Sequence, residues 1–319
     1  MKKIRISTLA CVGDGGVGAS LKRAAAMIAE AVYDKADLIC LPEIFAWGTL
    51  SGDLKRNAAE PINGRFSRAM GRLAARHHTN ILSPLLERDG SRIYNSMVWY
   101  GRSGQILGKY RKAFPTDYEM EEGITPGPLE FDVFQTEFGA VGCCICFDIN
   151  FVENIERIAS QKARLVIFPS MFKGLSLMCA WAKLYRMYFV SADAHPYAAV
   201  VNPLGETLSE PCRYNTILSM NLNLDYMVLH TDRNKEKFPD IKKAYGTDIE
   251  IRSNNIESCA LLMSHHPRKS AENIAAEFGL ESESDYYLRS KTLADRKREK
   301  SIRLLKEADR ATQYRNPKQ

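Results

Sequence analysis

A carboxylate, a cation and a thiol stand out in this chain of 319 residues. Glu43 closes Asp37-Leu-Ile-Cys-Leu-Pro-Glu43, Lys112 closes Gly108-Lys-Tyr-Arg-Lys112, and Cys146 lies within Gly142-Cys-Cys-Ile-Cys146-Phe-Asp148. Gathered by a fold, they supply a base, a positive charge for a developing oxyanion, and a nucleophile. Those are the parts of a hydrolase that works through a thioester, because a Cys becomes strongly nucleophilic once a neighbour takes its proton.

The elements around them predict how they are placed. Ile4, Ile6 and Thr8 alternate with polar residues as in a half-buried strand, and an Ala-rich helix is expected from about Leu21 to Tyr33. Asp37 to Leu41 is a short apolar run stopped by Pro42, the pattern of a buried strand with Glu43 emerging at its carboxyl end, where ligand crevices form in open α/β sheets. A polar loop at 51–63, a helix from Arg65 to His78 and a strand from Asn80 to Pro84 follow. Gly101-Arg-Ser-Gly104 joins two apolar arms as a hairpin, with Lys112 just past the second arm. Ala140 to Ile145 reads as a strand ending at Cys146, then come a helix at about Val152 to Lys162, a strand at Leu165 to Phe168, a helix at Trp181 to Val190 and a strand at Ala198 to Val201. Alternating strands and helices over the first 220 residues predict an α/β domain at 1–224. The polar, irregular remainder, 225–319, reads as an extension with too little apolar sequence for a second core.

Bland readings compete at each position. Cys143 and Cys144 sit inside the apolar strand and read as small buried hydrophobes. Cys146 differs by lying at the strand end, before a helix whose N–H groups would favour a thiolate or an oxyanion. Glu43 is flanked by Leu41-Pro42 and Ile44-Phe45-Ala46-Trp47, an apolar setting suited to a general base. Lys109, Arg111 and Lys112 are equivalent on sequence grounds, and only one of them need point inward.

Composition narrows the classes. With 45% hydrophobic residues the chain can bury a substantial core. No apolar run reaches the roughly 20 residues of a membrane span, and Arg5 interrupts what would be the apolar stretch of a signal peptide, so a cytoplasmic protein without a membrane partner is expected. Eight cysteines lack a framework spacing and are expected to be reduced. The net charge of +6 resides in a tail: 289–319 carries 11 Lys/Arg and 4 Asp/Glu, leaving about −1 for the rest. A solvated basic helix that docks on a partner subunit accounts for it better than nucleic-acid binding. Gly13-Asp-Gly15-Gly-Val-Gly18 matches a dinucleotide-binding pattern, but that reading explains neither Lys112 nor Cys146. Adjacent cysteines point to opposite faces of a strand, which argues against a metal held by Cys143, Cys144 and Cys146.

Leu-Pro-Glu43, Gly-Lys-Tyr-Arg-Lys112 and Ile-Cys146-Phe-Asp148-Ile-Asn-Phe, in this order and with Tyr94-Asn-Ser and Gly104-Gln-Ile-Leu-Gly before the lysine, resemble the signature blocks of the carbon-nitrogen hydrolase family, the nitrilase superfamily. The resemblance spans residues 3 to 222. It implies an αββα sandwich with Glu43 as general base, Lys112 as oxyanion-stabilising cation, Cys146 as nucleophile and the N–H of Phe147 as a further oxyanion donor. Glu122-Gly-Ile-Thr-Pro-Gly127 resembles the segment carrying an auxiliary glutamate; that role goes to Glu122, with Glu121 and Glu119 as rivals. The resemblance further implies a small-molecule amide, carbamoyl or nitrile substrate, a homodimer or larger homo-oligomer, and no metal or organic cofactor. Amidase, N-carbamoylase and nitrilase share these groups and stay open, while the intact trio argues against an inactive member. His195-Pro-Tyr and the run 181–190 depart from the family pattern, which leaves the substrate pocket unspecified.

Overall fold

The computed structural model describes residues 3–11, 13, 16–209 and 216–315, with 308–315 described by backbone alone. Asp14 and Gly15 of the glycine run, Cys212 and the end of the basic tail lie outside the described residues. The chain divides into two compact units, Met1–Asp225 and Tyr226–Gln319.

In the first unit the strands are β1 (Lys3–Leu9), β2 (Leu38–Cys40), β3 (Asn80–Asp89), β4 (Arg92–Tyr100), β5 (Ile106–Arg111), β6 (Phe134–Thr136), β7 (Gly139–Cys143), β8 (Leu165–Ser170), β9 (Tyr188–Asp193), β10 (Val200–Val201), β11 (Thr207–Ser209) and β12 (Ile217–Asn223). The helices are α1 (Gly16–Ala31), α2 (Gly52–Asn57), α3 (Arg65–His77), α4 (Asp117–Glu121), α5 (Val152–Ser160) and α6 (Leu175–Tyr185). Two six-stranded mixed sheets form, in the orders β12-β1-β2-β3-β4-β5 and β11-β10-β9-β8-β7-β6. Each sheet buries one face under helices. Ile39, Leu41, Ile81 and Leu85 pack with Ala24 and Ile28 of α1 and Met70 and Ala74 of α3, whereas Val166, Phe168 and Phe189 pack with Ile155 and Ile158 of α5 and Met178 and Ala182 of α6. The opposite faces meet each other, as where Trp99 and Phe134 bring their ring centroids to 5.2 Å. This is an αββα sandwich. All three residues of β2 are fully buried, which explains its unbroken apolar run.

Two short helices occupy segments that read as loops. The segment 51–63 contains α2, and 114–128 contains α4. The run Trp181 to Val190, read as one helix, is corrected: α6 ends at Tyr185, Arg186 turns the chain in the left-handed region (φ 56°), and β9 begins at Tyr188. β-branched and aromatic residues at 188–190 fit a buried central strand.

The second unit overturns the expectation that 225–319 lacks a core. Strands β13 (Tyr226–His230), β14 (Ile249–Asn254) and β15 (Cys259–Ser264) pair antiparallel in the order β13-β15-β14. Helices α7 (Phe238–Tyr245) and α8 (Ala271–Glu277) cover the sheet, burying Leu229, Ile241, Ile249, Leu262, Ala271 and Ile274 together. The unit ends in α9, Glu283–Arg315, on which Leu293, Ile302, Leu304 and Leu305 are exposed.

Candidate active site

Strand parity sorts the three cations. Lys109 and Arg111 lie on one face of β5 and both engage Glu87, Arg111 Nη2 at 2.6 Å from Glu87 Oε1. Tyr110 and Lys112 take the other face. Lys112 is held by its backbone on both sides, its N–H donating to Asn95 O at 2.8 Å and its carbonyl accepting from Gly127 N at 2.7 Å.

Its ammonium is buried, 2% exposed, and donates to Glu43 Oε1 at 2.7 Å and Glu119 Oε2 at 2.6 Å. Two of its three N–H donors are thereby used, and one remains for a substrate oxygen. Burial pulls the Lys112 pKa down, but Glu43, Cys146 and Glu119 outweigh it and hold the group above its ordinary value as a permanent cation. Asn95 Nδ2 bridges the two carboxylates, at 2.8 Å to Glu43 Oε1 and 2.9 Å to Glu119 Oε1. A flipped amide would face its oxygen to both carboxylates, so the network fixes the orientation.

Glu119, rather than Glu122, therefore stands against the lysine. Its carboxylate is positioned by a capping box, with Thr116 Oγ1 accepting from Glu119 N at 3.1 Å and Thr116 N donating to Glu119 Oε2 at 2.9 Å. Burial alone would raise its pKa, yet Lys112, Thr116 and Asn95 lower it below the ordinary carboxylate value. Glu122, just beyond the last turn of α4, instead accepts the Gly52 N–H at 3.3 Å and lies 3.9 Å from Lys55 Nζ, while Glu121 is exposed.

Cys146 follows β7 and sits at φ 49°, in the left-handed region where non-glycine residues are strained by about 1–3 kcal/mol. There its thiol faces the Glu43 carboxylate and the N–H of Met171, the residue after β8. Burial and the negative charge of Glu43 push the thiol up to about 12, with Lys112 only partly opposing. Cys146 opens a 3-10 turn, Cys146–Asn150, and α5 starts at Val152, where the sequence places a helix. The resting group is a thiol.

Asp148 holds that turn in place. It is fully buried and accepts from Tyr110 Oη at 2.7 Å, Phe114 N at 2.8 Å and Ile145 N at 3.0 Å. Burial pushes its carboxyl up to about 7 despite these donors. Phe114 also stacks on Phe151 with centroids 3.9 Å apart, and Trp181 Nε1 of α6 donates to Ile149 O at 2.8 Å. Phe147, the anticipated oxyanion donor, sits half-exposed one residue past the thiol and packs edge-on against Phe151.

Of the glycines near the start of α1, Gly13 has a steric basis. A Cβ on Gly13 would stand 2.0 Å from the carbonyl oxygen of Phe45, so only glycine lets the chain pass the segment that follows Glu43.

Residues 17–228 match the profile of the carbon-nitrogen hydrolase family, and the chain belongs to that family, whose members are hydrolases acting on carbon-nitrogen bonds. It is similar to omega-amidase NIT2 of Xenopus tropicalis, with 26% identity over 255 residues that cover 71% of this chain and 91% of the relative. Solved structures with the same fold include Nit3 of Saccharomyces cerevisiae, of the nitrilase superfamily (22% identity, TM-score 0.62, 76% of this chain and 94% of that one). An amidase from Nesterenkonia sp. also shares it (18% identity, TM-score 0.62, 74% and 95%).

Proposed function

We propose that this protein hydrolyses a linear amide or N-carbamoyl bond of a small molecule through a thioester on Cys146. The observation that carries the reading is the contact of the Cys146 thiol with a Glu43 carboxylate that is itself paired to Lys112. In the first half-reaction the thiol proton passes to Glu43 as Sγ bonds to the amide carbon. The free N–H of Lys112 and the N–H of Phe147 receive the negative charge that develops on oxygen. The C–N bond then breaks, with the proton held by Glu43 passing to the departing nitrogen, so ammonia or an amine leaves neutral. In the second, Glu43 takes a proton from water, hydroxide adds to the thioester carbon, and the C–S bond breaks as Sγ recovers its proton.

Because the thiol starts protonated beside a carboxylate, the proton passes directly between the two and the net charge of the site is unchanged. Glu119 and Asn95 act as positioning residues: Glu119 steers the lysine, and Asn95 holds the two carboxylates apart. A thiol attack of this kind on a nitrile would use the same groups; similarity to an omega-amidase and to an amidase supports the amide reading.

The test is mass spectrometry of the intact protein quenched during turnover of a panel of short linear amides. The expected result is an adduct of acyl mass on the peptide containing Cys146, absent from Cys146→Ala. Undiminished turnover by Cys146→Ala would overturn the mechanism.

A further inference from the structure

One buried carboxylate near this thiol has no part in the chemistry described. Asp193 is the last residue of β9, is 1% exposed, and accepts the N–H of His195 at 2.8 Å through Oδ1. Its other oxygen, Oδ2, is buried and meets no hydrogen-bond donor among the described residues. A buried carboxylate oxygen without a donor is costly, by on the order of several kcal/mol if charged, and burial raises the Asp193 pKa above its ordinary value. The basic groups that face it are His195 and Lys173. Lys173 does not pair with it; its ammonium lies 3.8 Å from the centroid of the Tyr197 ring.

The place of this oxygen relates it to the reacting atoms. β7, β8 and β9 run parallel, so Cys146, Met171 and Asp193 come from adjacent carboxyl ends. The peptide group between Ser170 and Met171 lies between the outer two: its N–H faces the Cys146 sulfur, and its carbonyl accepts from Ala194 N at 3.1 Å. The residue that follows Asp193 is thus bonded to the peptide group that faces the nucleophile. The turn after it, 195–198, is exposed or half-buried.

We propose that Asp193 Oδ2 is a substrate-recognition group that takes the ammonium of an amide whose acyl chain carries a protonated amine. The inference rests on the hydrolase reading above and names the substrate class within it. An ammonium supplies the missing donor and a compensating charge together, and a neutral isostere supplies neither, which is the arrangement that yields strong discrimination.

The experiment measures binding separately from turnover. In Cys146→Ala protein, calorimetry compares a short amide bearing a terminal ammonium with the isostere bearing a methyl group there. The expected result is a preference of tenfold or more for the ammonium compound, reduced at least tenfold when Asp193→Asn is added. A parent protein without that preference overturns the proposal with no substitution at 193 required. So does a preference that survives in Asp193→Asn, whose nearly equal size keeps the His195 bond available. Failure of the thioester chemistry would show separately, as the absence of an acyl adduct on protein that still binds the ammonium amide selectively.

Discussion

The Tyr110 hydroxyl donates to Asp148 Oδ2 at 2.7 Å, and this bond fastens the strand that delivers Lys112 to the turn that begins with Cys146. Tyr110 lies in β5 of one sheet and the turn holding Asp148 follows β7 of the other, so the bond sets the separation of cation and thiol. Tyr110→Phe removes the donor while keeping the ring that packs on Phe131. Expected are a stability loss of about 1–3 kcal/mol by denaturant titration and a fall in kcat larger than any change in KM. A variant with the lost stability and an unchanged kcat would show that the bond serves the fold alone.

Asp148 gives this fastening a pH dependence. Its carboxyl lies at about 7 in the folded protein against an ordinary 3.8, so the folded state binds this proton more tightly than the unfolded chain. The stability it contributes is complete below about pH 4 and lost as pH rises through 7. Against Asp148→Asn, which has nothing to titrate there, the wild-type protein is expected to lose a few kcal/mol of relative stability between pH 4 and pH 8. Parallel unfolding curves over that range would refute the shift.

Glu119 and Glu122 are separated by one turn of chain and by very different surroundings. Glu119→Gln removes a charge from a buried ion pair and is expected to lower kcat/KM on the order of 100-fold. Glu122→Gln, which loosens contacts to Gly52 and Lys55, is expected to change it by less than about fivefold. Steady-state kinetics on one amide suffice, and the reverse ranking would return the auxiliary role to Glu122.

Asn95 separates two carboxylates that share one lysine. Asn95→Asp places a third carboxyl among them, leaving a single ammonium against three acids. At neutral pH the melting temperature and kcat/KM are both expected to fall, the latter tenfold or more. The thermal penalty shrinks as pH drops and the added carboxyl takes a proton; a penalty independent of pH would point to shape rather than charge.

The sequence carries much of this site and conceals the rest for identifiable reasons. Glu43 and Cys146 were legible because short apolar runs end at them, and such runs become parallel strands whose carboxyl ends line crevices. Lys112 was chosen over Lys109 and Arg111 only through the family resemblance, since strand parity separates the faces of β5 without saying which one turns inward. Glu119 was marked by Thr116-Asp-Tyr-Glu119, a capping-box pattern that distinguishes it from Glu121 and Glu122, but the proline-rich surroundings read as loop. Asn95 and Tyr110 fell inside quoted motifs, but their roles bore no local signal, since Glu43 and Asp148 are 52 and 38 residues away in the chain. The second core was missed although Tyr226-Met-Val-Leu229 and Cys259-Ala-Leu-Leu-Met263 are apolar runs, because a long polar stretch separates them in sequence and they pair only in the fold.

The protonated state of Cys146 extends to how the protein withstands its surroundings. Burial and Glu43 raise the thiol above its ordinary value, which leaves little thiolate at neutral pH, and peroxide and alkylating agents attack the thiolate. Cys40, Cys143 and Cys144 are likewise raised by burial. On the proposed mechanism the sulfur is armed by proton transfer only at the moment of attack, so slow alkylation of Cys146 by iodoacetamide at neutral pH is the expected accompaniment of its raised thiol.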